Sequence, residues 1–174
     1  MMLLKALGAL GVVAGGTLAG WLARQRVIRR PRDLEDLRAA LHMMETEVGY
    51  ALTPLPSAME GVGRRVGGTA GDLLTTAGRI LGRNPAAGGS AAWRHAVHLV
   101  RGSLSLNNAD LLIVDQLFAY LGDTGREDQL KHLQLAQSRL LRQEEEARRQ
   151  QAAYGRLYFY LGFAGGAALA LLLW

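Results

Sequence analysis

The sequence predicts an all-α protein, a cytoplasmic helical bundle of about six helices set between two transmembrane helices. Three observations predict it. Apolar residues recur at steps of three and four through the middle of the chain, the spacing that places them on one helix face. Uncharged apolar stretches occupy both ends of the 174 residues. Pro, Gly, Asn and Thr stand between the periodic segments, at places suited to helix starts and stops.

The ends come first. Residues 6–23, ALGALGVVAGGTLAGWLA, carry no charge, and only Lys5 interrupts the apolar run from Met1; residues 157–174, LYFYLGFAGGAALALLLW, are uncharged throughout. A spanning helix needs about 20 largely apolar residues, within a range of roughly 17 to 25. A cleaved signal peptide would end in small residues, whereas Trp21 and Leu22 stand where cleavage needs them. The segment 1–23 is therefore read as a retained N-terminal transmembrane helix. Segment 157–174 is read as a second one, with Tyr158 and Tyr160 at one edge and Trp174 at the other, the residues that favour membrane interfaces.

Positive charge orients these spans. Arg24, Arg26, Arg29, Arg30 and Arg32 follow the first, and Arg148, Arg149 and Arg156 precede the second. Arginine is retained on the cytoplasmic side of a phospholipid membrane, so 24–156 is expected in the cytoplasm with both ends outside. The same arginines account for the formal charge of +5, which removes the case for nucleic acid as a partner. Gly11 with Gly15, Gly16 with Gly20, and Gly162 with Gly166 fall at helical spacing. Such pairs let backbones approach closely in lipid, either between the two spans or with partner subunits, including further copies of the chain.

Within 24–156, the first helix carries Leu34, Leu37, Leu41, Met44 and Val48 on one face, and Gly49 weakens its end. Thr53 is expected to cap the second helix, with Pro54 at its first position and Pro56 still inside the first turn, where N–H groups lack intrahelical acceptors. Met59, Val62 and Val66 face inward on that helix; Thr69 or Asp72 starts a third, carrying Leu73, Ala77, Ile80 and Leu81. Residues 82–90, GRNPAAGGS, read as the longest break, with Ser90 capping a fourth helix that carries Trp93, Val97 and Val100. Asn107 or Asn108 caps a fifth with Leu111, Val114, Phe118 and Leu121. The turn 122–125, GDTG, leads to a sixth helix from Arg126 to Arg156 that contains Leu130, Leu133, Ala136 and Leu140, with Gly155 as its one weak joint. At 1.5 Å per residue that helix is roughly 45 Å long. Its section RQEEEARRQQ, with Glu144–Arg148 and Glu145–Arg149 spaced for ion pairs, reads as a solvated stalk or a partner surface.

Catalytic classes are excluded one by one. The chain has no cysteine, so disulfides, thiolate catalysis and cysteine-bound metals are out. His42, His95, His98 and His132 include no pair at i,i+4 and no H-E-x-x-H, so no metal is expected. Nucleotide-binding glycine motifs are absent, and no serine sits in a G-x-S-x-G context. No cofactor and no enzymatic activity are expected. The remaining candidates are partner-binding. Glu45 and Glu47 precede the T-P-L-P turn, but residues two apart diverge on a helix and do not make an acid–base pair. Tyr50 is placed either to share a helix edge with Glu47 and bond it or a turn carbonyl, or to stand at an exposed helix end. Glu45, Glu47 and Tyr50, clamped by Thr53 and Pro54, form one candidate docking corner. Asp123 and Asp128 beside the second turn, and Glu144 and Arg148 on the last helix, complete the set.

A family resemblance rests on particular residues. These are Arg30-Pro31-Arg32; Glu45-Thr46-Glu47 with Tyr50; Thr53-Pro54-Leu55-Pro56; Asp110, Val114, Leu117 or Phe118, Leu121 and Gly122; and Asp128-Gln129. In that order, with an anchor at each end, the chain resembles the stage III sporulation protein AB family. The resemblance covers nearly the whole chain. It departs from the family at 63–92, a Gly/Ala-rich stretch without a recognisable motif, and at Gly125 in the turn. It implies a platform subunit of the mother cell–forespore channel needed for endospore formation, in the membrane around the forespore. The helical domain would face the mother-cell cytoplasm. It also implies a domain similar to the platform F domain of type II secretion and type IV pilus systems, docking a cytoplasmic ATPase and organising other membrane subunits. The alternative is a membrane-anchored scaffold of a secretion or pilus system outside sporulation.

Overall fold

The computed structural model describes residues 2–51, 53–121 and 125–154, with isolated positions at 160, 164, 165 and 168; at 2–10, 12, 13, 19 and 23 it describes the backbone alone. The described residues form α1 (Met2–Thr46), α2 (Leu55–Val66), α3 (Gly68–Arg83), α4 (Gly88–Val100), α5 (Asn108–Phe118) and α6 (Arg126–Tyr154). No strand occurs among them. The chain divides into two compact units, Met1–Arg30 with Glu146–Trp174, and Pro31–Glu145. Both α1 and α6 contribute to each. The division falls at Pro31, which lies inside α1 and removes the hydrogen bond that residue would give to the preceding turn.

In the larger unit most of the expected stripe residues form the core, while Val66, Ile80, Val97, Val100 and Leu130 are only half-buried. Leu34, Leu37, Leu41 and Met44 of α1 are all 0% exposed, as are Met59 and Val62 of α2 and Leu133 and Leu140 of α6. Val48 is only half-buried, because the last turn of α1 widens into a π-helix over Glu47–Ala51 and shifts the register. Each fully buried Leu or Met contributes about 1.5–3 kcal/mol relative to exposure. Helices α2, α3, α4 and α5 pack pairwise in chain order.

Three helix starts differ from expectation. Thr53 does not cap α2; Pro54 occupies that position, its carbonyl accepting from Ala58 N at 2.9 Å, with no side-chain cap. A capping hydroxyl bonds the N–H two or three positions on, and from Thr53 the third position is Pro56, which has none. The Thr53 hydroxyl donates instead to Glu47 Oε2 at 2.8 Å. Neither Thr69 nor Asp72 starts α3. Gly67 and Gly68, at φ +68° and +59°, turn the chain so sharply that only Gly67 separates the end of α2 from the start of α3. Ser90 does not cap α4, which starts at Gly88 after a single 3₁₀ turn over Pro85–Ala87, so the break expected at 82–90 is short.

The longer irregular connection runs between α4 and α5, and a buried carboxylate pins it. Asp33 of α1, 8% exposed, accepts from the backbone N of Ser105 at 3.0 Å. Leu104 and Leu106 on either side are buried. The start of α5 follows the sequence. Asn107 accepts from Asp110 N and Asp110 accepts from Asn107 N, each at 2.9 Å, a reciprocal capping box.

Among the described residues no helix is long and apolar enough to cross a membrane. The spans expected at 1–23 and 157–174 fall mostly on positions outside the described side chains. In the smaller unit, nothing lies within 4 Å of a Cβ built at Gly11 or Gly15, so no described contact uses these glycines. Gly162 and Gly166, with Gly155, Tyr158 and Trp174, lie outside the described residues.

Candidate partner-binding site

The corner between α1 and α2 is built by two carboxylates that turn in different directions. Glu45, on the last turn of α1, accepts from Gln134 Nε2 at 2.7 Å and Gln137 Nε2 at 3.0 Å, both on α6. His42 Nδ1 lies 3.6 Å from the same carboxylate. Glu47, on the π turn, accepts from Thr53 and from the Arg65 guanidinium of α2. Their two-residue spacing thus ties α1 to two different helices, in agreement with their divergence on a helix. Gly49, two residues after Glu47, is buried, and a Cβ there would stand 3.4 Å from Leu130 Cδ2.

Tyr50 has a different fate. It stands 84% exposed at the tip of the π turn. Of the two readings of Tyr50, the exposed helix end holds; Glu47 is bonded to Thr53 and Arg65. The corner presents an aromatic ring to solvent on a turn braced from both sides.

These bonds act on the acids. The hydrogen bond from Arg65, and next that from Thr53, hold the Glu47 carboxyl below its ordinary value of 4.5. The Gln134 amide is the largest influence lowering Glu45, against partial burial. A carboxyl whose folded value is depressed contributes stability above its unfolded value and loses it as pH falls through the folded one. The contribution of both is therefore complete above about 4.5 and lost progressively below it. Glu47→Gln is expected to lower the urea midpoint at pH 7 and to converge with the parent as the pH falls well below 4. Parallel midpoints across that range would show that the Arg65 bond contributes nothing.

The other candidates are dispersed. Asp123 lies outside the described residues. Asp128 is exposed and paired with Lys131 at 3.3 Å. Glu144 is not part of a solvated stalk; it is 5% exposed and accepts from Arg38 Nε at 3.1 Å. Ala147, one turn on, is 1% exposed, so this section of α6 carries a buried face where the sequence, read as a solvated stalk or partner surface, offered too little apolar area for a core. Arg148, Glu145 and Arg149 are exposed. Of the membrane-flanking set, Arg26, Arg29 and Arg32 are exposed, and Arg24 is half-buried. Arg30 is 8% exposed, with Nη1 donating to Gln150 Oε1 at 3.2 Å; Arg156 lies outside the described residues.

Histidines 42, 95 and 98 are exposed, while His132 stacks on Tyr120 with centroids 4.2 Å apart and rings 1° from parallel. No group of three metal-ligating side chains occurs among the described residues. Sequence reasoning missed Gln134, Gln137 and Arg65 as the groups that hold the corner. Their only signal was polar side chains at ordinary helix positions.

Residues 5–174 match the family described as stage III sporulation protein AB. The chain is 31% identical over 171 residues to the stage III sporulation protein AB of Bacillus subtilis (strain 168), covering 98% of this chain and 99% of that protein. A solved structure titled stage III sporulation protein AB is similar at a TM-score of 0.65 and 29% identity, covering 72% of this chain and 98% of the other. These matches favour the sporulation reading over a scaffold of another system. The chain belongs to the stage III sporulation protein AB family, and its role in spore formation is that of a membrane-associated scaffold and not of an enzyme.

Proposed function

We propose that the chain is a platform subunit of the channel complex between mother cell and forespore. Two spans, 1–23 and 157–174, anchor it, and residues 24–156 lie in the mother-cell cytoplasm, where they dock a secretion-type ATPase and gather other membrane subunits. The likeness to the F domain of type II secretion and type IV pilus platforms belongs to this proposal. The observation that carries the docking role is the braced corner: an aromatic side chain 84% exposed, on a turn fixed by Glu45 toward α6 and by Glu47 toward Thr53 and α2. Tyr supplies a large contact area at low entropic cost, and aromatic residues dominate the energetics of protein interfaces. Glu45, Glu47, Thr53 and Pro54 act in this proposal as the frame that presents it.

Tyr50→Ala is expected to leave thermal unfolding unchanged and to weaken binding of the ATPase by at least about tenfold, or 1.4 kcal/mol. Equal affinity in a titration would remove the corner as the docking face and direct attention to the exposed Glu145 and Arg149 of α6. The topology has its own test. Because the chain has no cysteine, single cysteines at Asp72 and Gly88 report without background. Both are expected to resist a membrane-impermeant thiol reagent in intact cells. Labelling of either from outside overturns the orientation.

A further inference from the structure

The four-helix run α2–α5 has a second surface, distinct from the Tyr50 corner, with chemistry of its own. A groove of about 240 Å³ runs between α4 and α5, floored by Trp93, Val97, Leu111 and Leu112. Leu112 is 53% exposed there. The volume falls below the roughly 300–1,000 Å³ of small-molecule sites, and an apolar floor has no use for a phosphate backbone. It suits side chains laid in from a helix.

Charge identifies the occupant. Arg94 of α4 and Arg101, the residue just past its end, line the groove seven positions apart, about 10.5 Å of helical rise. Arg94 is held by Asp115 at 3.1 Å, and Asp115 is the single carboxylate lining the groove. Arg101 donates to the neutral Asn108 Oδ1 at 2.7 Å, which positions its guanidinium without cancelling its charge. Helix α3, which packs against α4, carries Arg79 and Arg83 against one carboxylate, Asp72, so its balance is also positive. The exposed His95 and His98 share the outer side of α4.

We propose that this groove docks an acidic amphipathic helix of a partner protein, its apolar residues on Val97 and Leu112 and a carboxylate on Arg101. Two apolar residues one helical step apart fill the floor, while a carboxylate about one turn away meets Arg101. Complementary charge of this kind fixes register and speeds encounter, and the apolar floor supplies the buried area.

The test uses the full chain in nanodiscs of zwitterionic lipid and a dye-labelled helical peptide with Glu at i and i+7 and Leu at i+3 and i+4. Anisotropy is expected to rise saturably with the parent, above the signal from empty discs. Arg101→Glu and Leu112→Glu, both at exposed positions, are each expected to weaken binding at least about tenfold with unchanged thermal unfolding. A peptide with Lys in place of Glu should not bind. Absence of saturable binding, equal binding by parent and Arg101→Glu, or equal binding of the Lys peptide each overturns the proposal. Binding to empty discs alone assigns the peptide to lipid and overturns it as well.

Discussion

Trp93→Ala is expected to destabilise the unit Pro31–Glu145 by about 3–5 kcal/mol, the range for truncating a fully buried large aromatic. Trp93 is 1% exposed, and its ring lies 5.3 Å from that of Phe118 at an interplanar angle of 33°. Its Nε1 donates to the Leu111 carbonyl at 3.3 Å. Removal leaves a cavity between α4 and α5 and strips a buried carbonyl of its side-chain donor. Trp93→Phe separates the two costs. It keeps most of the apolar contact and loses the donor, so about 1–3 kcal/mol is expected. The measurement is the urea midpoint at constant slope, followed by circular dichroism because Trp21 and Trp174 also fluoresce. Equal midpoints for Trp93→Phe and the parent would show the hydrogen bond to be idle.

The second large effect reverses the ordinary sign of a glycine substitution. Glycine inside a helix costs roughly 0.5–1 kcal/mol relative to alanine, so Gly→Ala usually stabilises. At Gly78 of α3 a Cβ would stand 2.8 Å from the Pro56 carbonyl oxygen and 2.9 Å from Met59 Cβ. At Gly63 of α2 it would stand 2.6 Å from the Gly71 carbonyl oxygen and 2.8 Å from Thr75 N. The opposing atoms are mostly backbone and cannot swing aside, so α2 and α3 must separate. Gly63→Ala and Gly78→Ala are each expected to destabilise by about 1–3 kcal/mol. Gly61, on α2 with nothing within 4 Å of its Cβ, is the control, and Gly61→Ala should stabilise by about 0.5–1 kcal/mol. If all three substitutions shift the melting temperature in the same direction, the close approach of α2 and α3 is not what these glycines serve.

The Gly/Ala-rich stretch 63–92 illustrates why part of the structure was not legible. It carries no motif, because its function is to be small: Gly63, Gly71, Gly78 and Gly89 leave room for neighbouring backbone, and the last approaches the Phe118 carbonyl. Absence of a side chain has no periodic signature of its own. The Thr53 cap failed for a related reason. The local rule was applied to a threonine one of whose two targets, Pro56, has no N–H, and the hydroxyl found Glu47 instead.

By itself the sequence determined the all-α class, most of the apolar stripes of α1 and α6, an asparagine start of α5 at 107 or 108, and a family membership carried by short motifs in order. Each of these depends on residues within a few positions of one another, where helix geometry alone decides which side chains share a face. Only the tertiary structure decided that Glu45 binds Gln134 across 89 residues, and that Asp33 reaches the backbone of Ser105 across 72. It also decided that Glu144 is buried against Arg38, and that Tyr50 is left to solvent while the carboxylates beside it are consumed. The physical reason is that a polar side chain takes whichever partner the packing of distant helices brings within about 3 Å, and periodicity within one helix carries no information about that choice.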